Sequence, residues 1–312
     1  MIINIKGGIG NQLFQYALAL KIQYLSNSRL KFDISSYIGY IFPYKYRLSN
    51  FIIQNEIASN EEIARIKSNF IDNSSILKKS FFRKYGILSK GLRFLFRQYD
   101  LLTYYKKNVV EEKRDIFDKR IFNVKDNTYL DGYWAKYKYF EDIRDILLKE
   151  ITLKPEYETE EYKAKQNEIL KRNESVSIHI RRGYAKREID LKIFGVMDTK
   201  YYSDAIFLIK TKVSNPYFYI FSDDMNWVKE NLNLEDNHEF INLGPEGDYL
   251  ELMLMSQCKY NIIANSTFSW WGAWLNQNPN KIVIAPKRWY NKEQYQKIYE
   301  KGHLVPDTWI KI

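Results

Sequence analysis

The stretch Ser177-Ile178-His179-Ile180-Arg181-Arg182-Gly183 joins a short β-branched run to two adjacent guanidiniums. It reads as a buried strand that delivers Arg181 and Arg182 at its carboxyl end. Arginine binds phosphate bidentately and never loses its charge, so a doubly anionic ligand suits this pattern. Surface ion pairs are the alternative use of a strand-end Arg-Arg. A second polar run, Asn265-Ser266-Thr267-Phe268-Ser269, leads into an aromatic helix, Trp270 to Trp274. Hydroxyls and N–H groups at that helix start form another anion-receptive point. One diphosphate reached by both would explain the two together.

Near the start, Gly7-Gly8-Ile9-Gly10 separates a β-prone run, Met1 to Ile5, from apolar residues at helical spacing, Leu13, Phe14, Ala17, Leu18 and Leu20. This is strand, glycine turn, helix, a unit whose exposed N–H groups at Gly8 and Gly10 can receive a polar ligand. Leu13 stands where the dinucleotide fingerprint needs its third glycine, and no Gly-Lys-Ser/Thr follows, so neither phosphate motif matches. A merely tight turn is the other reading. Asn11 and Gln12, where the backbone is most exposed, favour a ligand-facing role. Ser222-Asp223-Asp224 could hold a divalent metal, but at the start of a helix running through Leu232 the pair is better suited to capping.

These groups need a scaffold. Leu30 to Ile34 reads as a strand and Glu61 to Phe70 as a helix. Tyr129 to Trp134 is expected to close the first domain, followed by a helix from about Phe140 to Glu150. Pro155 and the acidic run Glu156, Glu158, Glu160, Glu161 mark a linker and the start of a long polar helix. The expected division is residues 1–155 and 156–312. In the second half a helix from Asp198 to Lys212, a strand from Tyr217 to Phe221, a helix from Tyr249 to Met255, and strands at Tyr260 to Ala264 and Lys281 to Ala285 repeat a βα pattern. Such a pattern predicts a parallel sheet with its ligand at the strand carboxyl ends.

The 312 residues suffice for two domains with cores of their own. A net charge of +10 calls for an anionic partner: nucleic acid, an anionic membrane face or a phosphorylated ligand. Lone Cys258 rules out a disulfide within this sequence, and His179, His238 and His303 are too scattered for zinc spacing. With no secretion signal in Met1 to Gly8 and no apolar run of spanning length, a cytoplasmic, metal-poor protein is expected. The 26 tyrosines suit sugar recognition, since a sugar presents a C–H face and a hydroxyl rim. Between Lys78 and Arg114, Phe81, Phe82, Tyr85, Leu88, Leu92 and Phe96 recur at helical spacing among lysines and arginines. That segment reads as a basic membrane-surface helix, equally as a core-facing stripe with a solvated basic face, and more weakly as a nucleic-acid groove.

Gly7-Gly8-Ile9-Gly10-Asn11-Gln12-Leu13-Phe14-Gln15-Tyr16-Ala17, Asp131-Gly132-Tyr133-Trp134, His179 to Gly183, Phe221-Ser222-Asp223-Asp224 and Asn265 to Trp271, in this order, resemble the bacterial α-1,2-fucosyltransferases, glycosyltransferase family 11. The resemblance implies an α/β, GT-B-like fold of two Rossmann-like domains facing a central cleft. It also implies inverting transfer of fucose from GDP-β-L-fucose to the 2-hydroxyl of a galactose-type acceptor, without metal or cofactor. By that resemblance Arg181 grips the β-phosphate, His179 and Arg182 line the nucleotide site, and Ser266, Thr267, Phe268 and Ser269 hold the diphosphate. Glu251 falls where relatives carry an acid that reads guanine, and Asn11 where an asparagine faces the reacting sugar. The implied partners are GDP-fucose and a surface-glycan acceptor, with no nucleic acid, and the basic segment from Lys78 to Arg114 adds peripheral contact with the anionic inner membrane. The family reads Arg-Arg-Gly-Asp-Tyr, whereas here Tyr184 follows Gly183 directly. Spacing recovers at Phe194 to Asp198 and Tyr201-Tyr202, and two readings of the gap stay open: Glu188 or Asp190 stands in for the missing carboxylate, or the enzyme is weakened without it.

Overall fold

Ile2–Asn4 forms β1, and the glycine turn after it starts the 18-residue helix α1, Ile9–Ser26. The computed structural model describes residues 1–38, 44–54, 56–68, 104–106, 108–112, 117–234 and 237–312. Around β1 lie β2, Lys31–Asp33, and β5, Tyr129–Asp131, both parallel to it. Beyond β5 come β4, Val109–Glu111, and the edge strand β3, Tyr104–Lys106, giving a five-stranded sheet in the order β2-β1-β5-β4-β3. Helix α2 spans Asn60–Ser68. The β3–β4 pair is antiparallel, so residues at the carboxyl end of the expected basic helix are strand instead. Residues 78–103 of that segment lie outside the described residues.

Helices α3, Arg144–Glu150, and α4, Glu160–Lys171, lead to the second sheet. Its strands are β6, Ser175–Ile180; β7, Tyr217–Ser222; β8, His238–Ile241; β9, Tyr260–Ile262; β10, Val283–Ala285; and β11, Ile310–Lys311. All pairs are parallel, in the order β11-β10-β9-β6-β7-β8. Helices α5, Glu188–Phe194; α6, Thr199–Lys210; α7, Met225–Asn231; α8, Asp248–Gln257; α9, Thr267–Leu275; and α10, Glu293–Lys301, complete the chain. Two Rossmann-like sheets across a cleft make the fold GT-B-like.

Central strand β6 is buried along its whole length, as a parallel strand covered on both faces must be. Its two-residue period sorts the side chains. Val176, Ile178 and Ile180 join a core with Tyr202, Ala205 and Ile209 of α6. Ser177 lies on the other face, where its hydroxyl accepts from Asn261 Nδ2 at 2.7 Å. Alternation then carries this second face through His179 to Arg181.

The halves meet in an aromatic joint. Phe14 of α1 lies 4.5 Å from Trp270 and 5.2 Å from Trp271 of α9, centroid to centroid. Phe140 stacks on Trp271 at 5.5 Å. All four are fully buried, and each such side chain contributes about 1.5–3 kcal/mol of burial free energy. Among the described residues no helix is long and apolar enough to cross a membrane.

Candidate active site

Helices α1 and α9 meet at their amino ends. A Cβ on Gly10 would lie 2.4 Å from the backbone carbon of Thr267 and 2.6 Å from the nitrogen of Phe268, so only glycine permits this approach. Asn11 Oδ1 accepts from the Thr267 hydroxyl at 3.0 Å across the contact. Neither helix carries an acidic residue in its first turn. Ser266 caps α9 by accepting from Phe268 N at 3.3 Å. Two helix starts therefore turn their positive ends towards one floor, where an anion is favoured.

Above that floor is a cavity of about 540 Å³ whose lining includes Gly8, Gly10, Asn11, Ser266, Thr267 and Phe268. His179, Arg181 and Glu251 line it as well, so residues far apart in sequence share one cleft. Arg181 Nη1 lies 3.0 Å from Asp223 Oδ2, and its Nη2 donates to the Tyr44 hydroxyl at 3.5 Å. Burial works against the charged guanidinium, but Asp223, Tyr184 and Tyr44 outweigh it and leave the Arg181 pKa above its ordinary value. The cation is permanent.

His179 is 4% exposed and its Nδ1 has no hydrogen-bond partner. Burial first, with Arg181 adding against the pull of Asp223, lowers its pKa to about 3, so the ring is neutral at ordinary pH. Glu251 Oε1 accepts from Leu243 N at 2.9 Å. Burial raises this carboxyl to about 7 against that hydrogen bond, and Asp248 adds to the rise. Across the rim, Arg47 Nε reaches Asp248 Oδ1 at 2.8 Å and its Nη2 donates to Glu246 Oε2 at 3.1 Å.

Two expected donor-site side chains point elsewhere. The Arg182 guanidinium stacks 3.9 Å from the Trp227 ring centroid, and only its backbone N–H turns to Asp223. Ser269 is buried, its hydroxyl donating to Ser266 O at 3.4 Å. Gly8 and Gly10 contribute backbone alone. Glu188 and Asp190 are absent from the cavity lining. Short helix α5 turns Glu188 outward to Lys192, with the side chain 80% exposed, and Asp190 pairs with Arg187 at 3.4 Å. The carboxylate that does reach the arginine is Asp223. Asp224 caps α7 by accepting from Trp227 N at 3.2 Å, which frees Asp223 for the cleft. Tyr44, Tyr184, Asn242 and Asp248 also line it and had no sequence signal of their own.

The arrangement can bind a diphosphate between Arg181 and the two helix starts, with a buried hydrogen-bonding acid beyond it for a base or sugar. A family model for Glycosyl transferase family 11 matches residues 1–312. An alpha-1,2-colitosyltransferase of Escherichia coli is 32% identical over 321 residues, covering 100% of this chain and 98% of its own. The O-antigen biosynthesis glycosyltransferase WbnK of Escherichia coli is 28% identical over 320 residues, covering 99% of each. Among solved structures, NodZ alpha-1,6-fucosyltransferase soaked with GDP-fucose superposes with a TM-score of 0.51 at 13% identity, over 91% of this chain and 94% of that one. At that identity the likeness concerns the fold. Matched by the family along its whole span, the chain belongs to glycosyl transferase family 11, and it is a glycosyltransferase.

Proposed function

We propose that the protein transfers L-fucose from GDP-β-L-fucose to the 2-hydroxyl of a galactose-type sugar in a bacterial surface glycan, with inversion and without a metal. Residues 156–312 take the donor and residues 1–155 the acceptor. The observation that carries this reading is the convergence of Arg181 with the starts of α1 and α9 on one floor. In the reaction the acceptor oxygen attacks the anomeric carbon from the face opposite the phosphate. The bond from that carbon to the phosphate oxygen breaks, its electron pair goes to the β-phosphate, and the acceptor proton passes to a base.

Negative charge grows on the leaving diphosphate in this step. A fixed cation and oriented N–H groups already in place stabilise it more in the transition state than in the ground state. Arg181 supplies the cation, Thr267 and Phe268 the helix start, and neutral His179 a further hydrogen-bonding group. Glu251, when ionised, suits the paired N–H donors of guanine. Asn11, held by Thr267, faces the position of the transferred sugar. A surface-glycan acceptor goes with a cytoplasmic site of action, peripheral on the inner membrane.

A second donor is favoured by one specific observation, the 32% identity to a colitosyltransferase. Colitose is fucose without its 3-hydroxyl, so another GDP-hexose would use the same diphosphate grip. The deciding experiment incubates purified protein with GDP-fucose, GDP-colitose or GDP-mannose and β-galactosides, with and without EDTA. GDP release and an α-1,2-fucosylated product, unchanged by EDTA, are expected. Failure to bind GDP or to consume GDP-fucose would sink the first reading, and preference for GDP-colitose would establish the second.

A further inference from the structure

The turn after β5 is conformationally costly and leaves one aromatic ring outside. Trp134 is fully buried at φ 55°, in the left-handed region that bulky side chains rarely enter. At Gly132 a Cβ would fall 2.4 Å from Cβ of Glu112, so a side chain has no room there. The Glu112 carboxylate fixes the turn, its Oε2 accepting from the N–H groups of both Tyr133 and Trp134 at 2.7 Å. Fully buried Lys136 donates to the other oxygen at 3.2 Å. Strain of this kind persists only where its surroundings over-determine it, and it gathers at ligand sites. Here it presents Tyr133, a residue 44% exposed.

Beside that ring is a reachable charge pair. Lys6 Nζ lies 5.2 Å from the Tyr133 centroid and donates to Asp131 Oδ1 at 2.6 Å. Asn4 Nδ2 donates to the same oxygen at 3.0 Å. The Lys6 and Asp131 side chains are 24% and 33% exposed, so neither is sealed in the core. A bond tying β1 to β5 accounts for the pair alone, but not for an exposed ring held over it by a strained turn. These residues end or follow parallel strands, where α/β sheets receive ligands. The patch is also tied to the donor cleft through the chain, since Lys6 stands two residues before Gly8 of the lining.

We infer that Tyr133, Lys6 and Asp131 form an acceptor subsite for an uncharged pyranose, with the sugar's C–H face on the Tyr133 ring and its hydroxyls on the Lys6–Asp131 pair. An aromatic face beside one donor and one acceptor matches the two sides of a sugar. Because the two charges offset each other, the patch has no net attraction for an anionic sugar. This subsite rests on the glycosyl transfer proposed above and adds the residues that choose the acceptor.

Its test uses Tyr133→Ala, Tyr133→Phe and Asp131→Asn in the full chain, with N-acetyllactosamine as acceptor. Tyr133→Ala is expected to raise the acceptor KM about tenfold, the worth of one aromatic face, while GDP affinity stays that of the wild type. Tyr133→Phe keeps the ring and should stay near wild type, and Asp131→Asn should raise the acceptor KM as well. An unchanged acceptor KM in Tyr133→Ala overturns the subsite. So does an equal loss of GDP affinity and of melting temperature, which marks a structural role. If the wild type consumes no GDP-fucose, the proposed reaction is what fails. The subsite is then read by saturation-transfer NMR of methyl β-D-galactoside, where a signal lost in Tyr133→Ala supports it and equal or absent signals overturn it.

Discussion

Asp223 joins Arg181 to the backbone that follows it: Oδ2 lies 3.0 Å from Arg181 Nη1, and its two oxygens accept from the N–H groups of Arg182 and Gly183 at 2.7 and 2.8 Å. The chain lacks the aspartate expected after Gly183, yet its arginine is still ordered by a carboxylate. Asp223→Asn removes the charge and one acceptor, so transfer should fall about 10–100-fold, the worth of charge-assisted hydrogen bonds. Arg181→Lys leaves a point charge in place of a planar fork and should cost about 10²–10³ in turnover. Steady-state kinetics checks both, and near-normal turnover in the lysine variant would remove Arg181 from its proposed role.

Glu251 gives the site a pH dependence with a definite sign. Its carboxyl is raised by burial from 4.5 to about 7, so between these values the folded chain holds a proton that the unfolded chain has lost. Its contribution to stability is therefore full below about 4.5 and is lost as pH rises through about 7. Glu251→Gln should flatten that part of a melting-temperature profile. Guanine donors select the ionised form, so GDP should bind more tightly as pH approaches 7 from below and should release a proton. Calorimetry in buffers of different ionisation enthalpy reads the proton directly, and GDP affinity independent of pH would contradict the guanine contact.

Gly10→Ala places a methyl against the backbone of Thr267 and Phe268, which cannot rotate away as a side chain could. Overpacking of this kind costs about 1–3 kcal/mol. The variant should melt earlier and lose GDP affinity together, because the same displacement separates the two helix starts. A melting scan with and without GDP tests this, and wild-type behaviour in both would mean that the floor is looser than it looks.

Phe140→Ala tests the joint between the sheets. The ring is fully buried against Trp271 and Trp274, and its loss should cost about 3–5 kcal/mol. A single unfolding transition moved to lower denaturant is expected. An unshifted transition would show that the halves hold together by other contacts.

Much of the scaffold could be read from periodicity, because β6, β7 and the helices after them bury regular faces. The role of Asp223 could not. Either aspartate of the pair fits a helix cap by sequence, and the choice depends on parallel register. Ile180 pairs with Ser222, which brings Arg181 alongside Asp223 and leaves Asp224 to cap α7. Glu188 and Asp190 were attractive because they are near Arg181 in the chain, but helical turning carries them out of the lining. Tyr44 reaches Arg181 from a segment with no periodic pattern. The strand pair β3–β4 was hidden by the strong helical spacing that precedes it, and β11, with two residues, is too short to leave a signal.

The contact of Gly10 with Thr267 also bears on how substrates come and go. With backbone against backbone at the floor, Phe14 set among tryptophans behind it, and Arg47 ion-paired with Asp248 and Glu246 at the rim, the halves have little freedom to swing apart. Exchange of a nucleotide in the cleft would then go by side-chain and loop movement at the mouth rather than by the halves parting. Fluorophores placed on the two sheets should report the same separation with and without GDP, and a large change on binding would show that the joint opens after all.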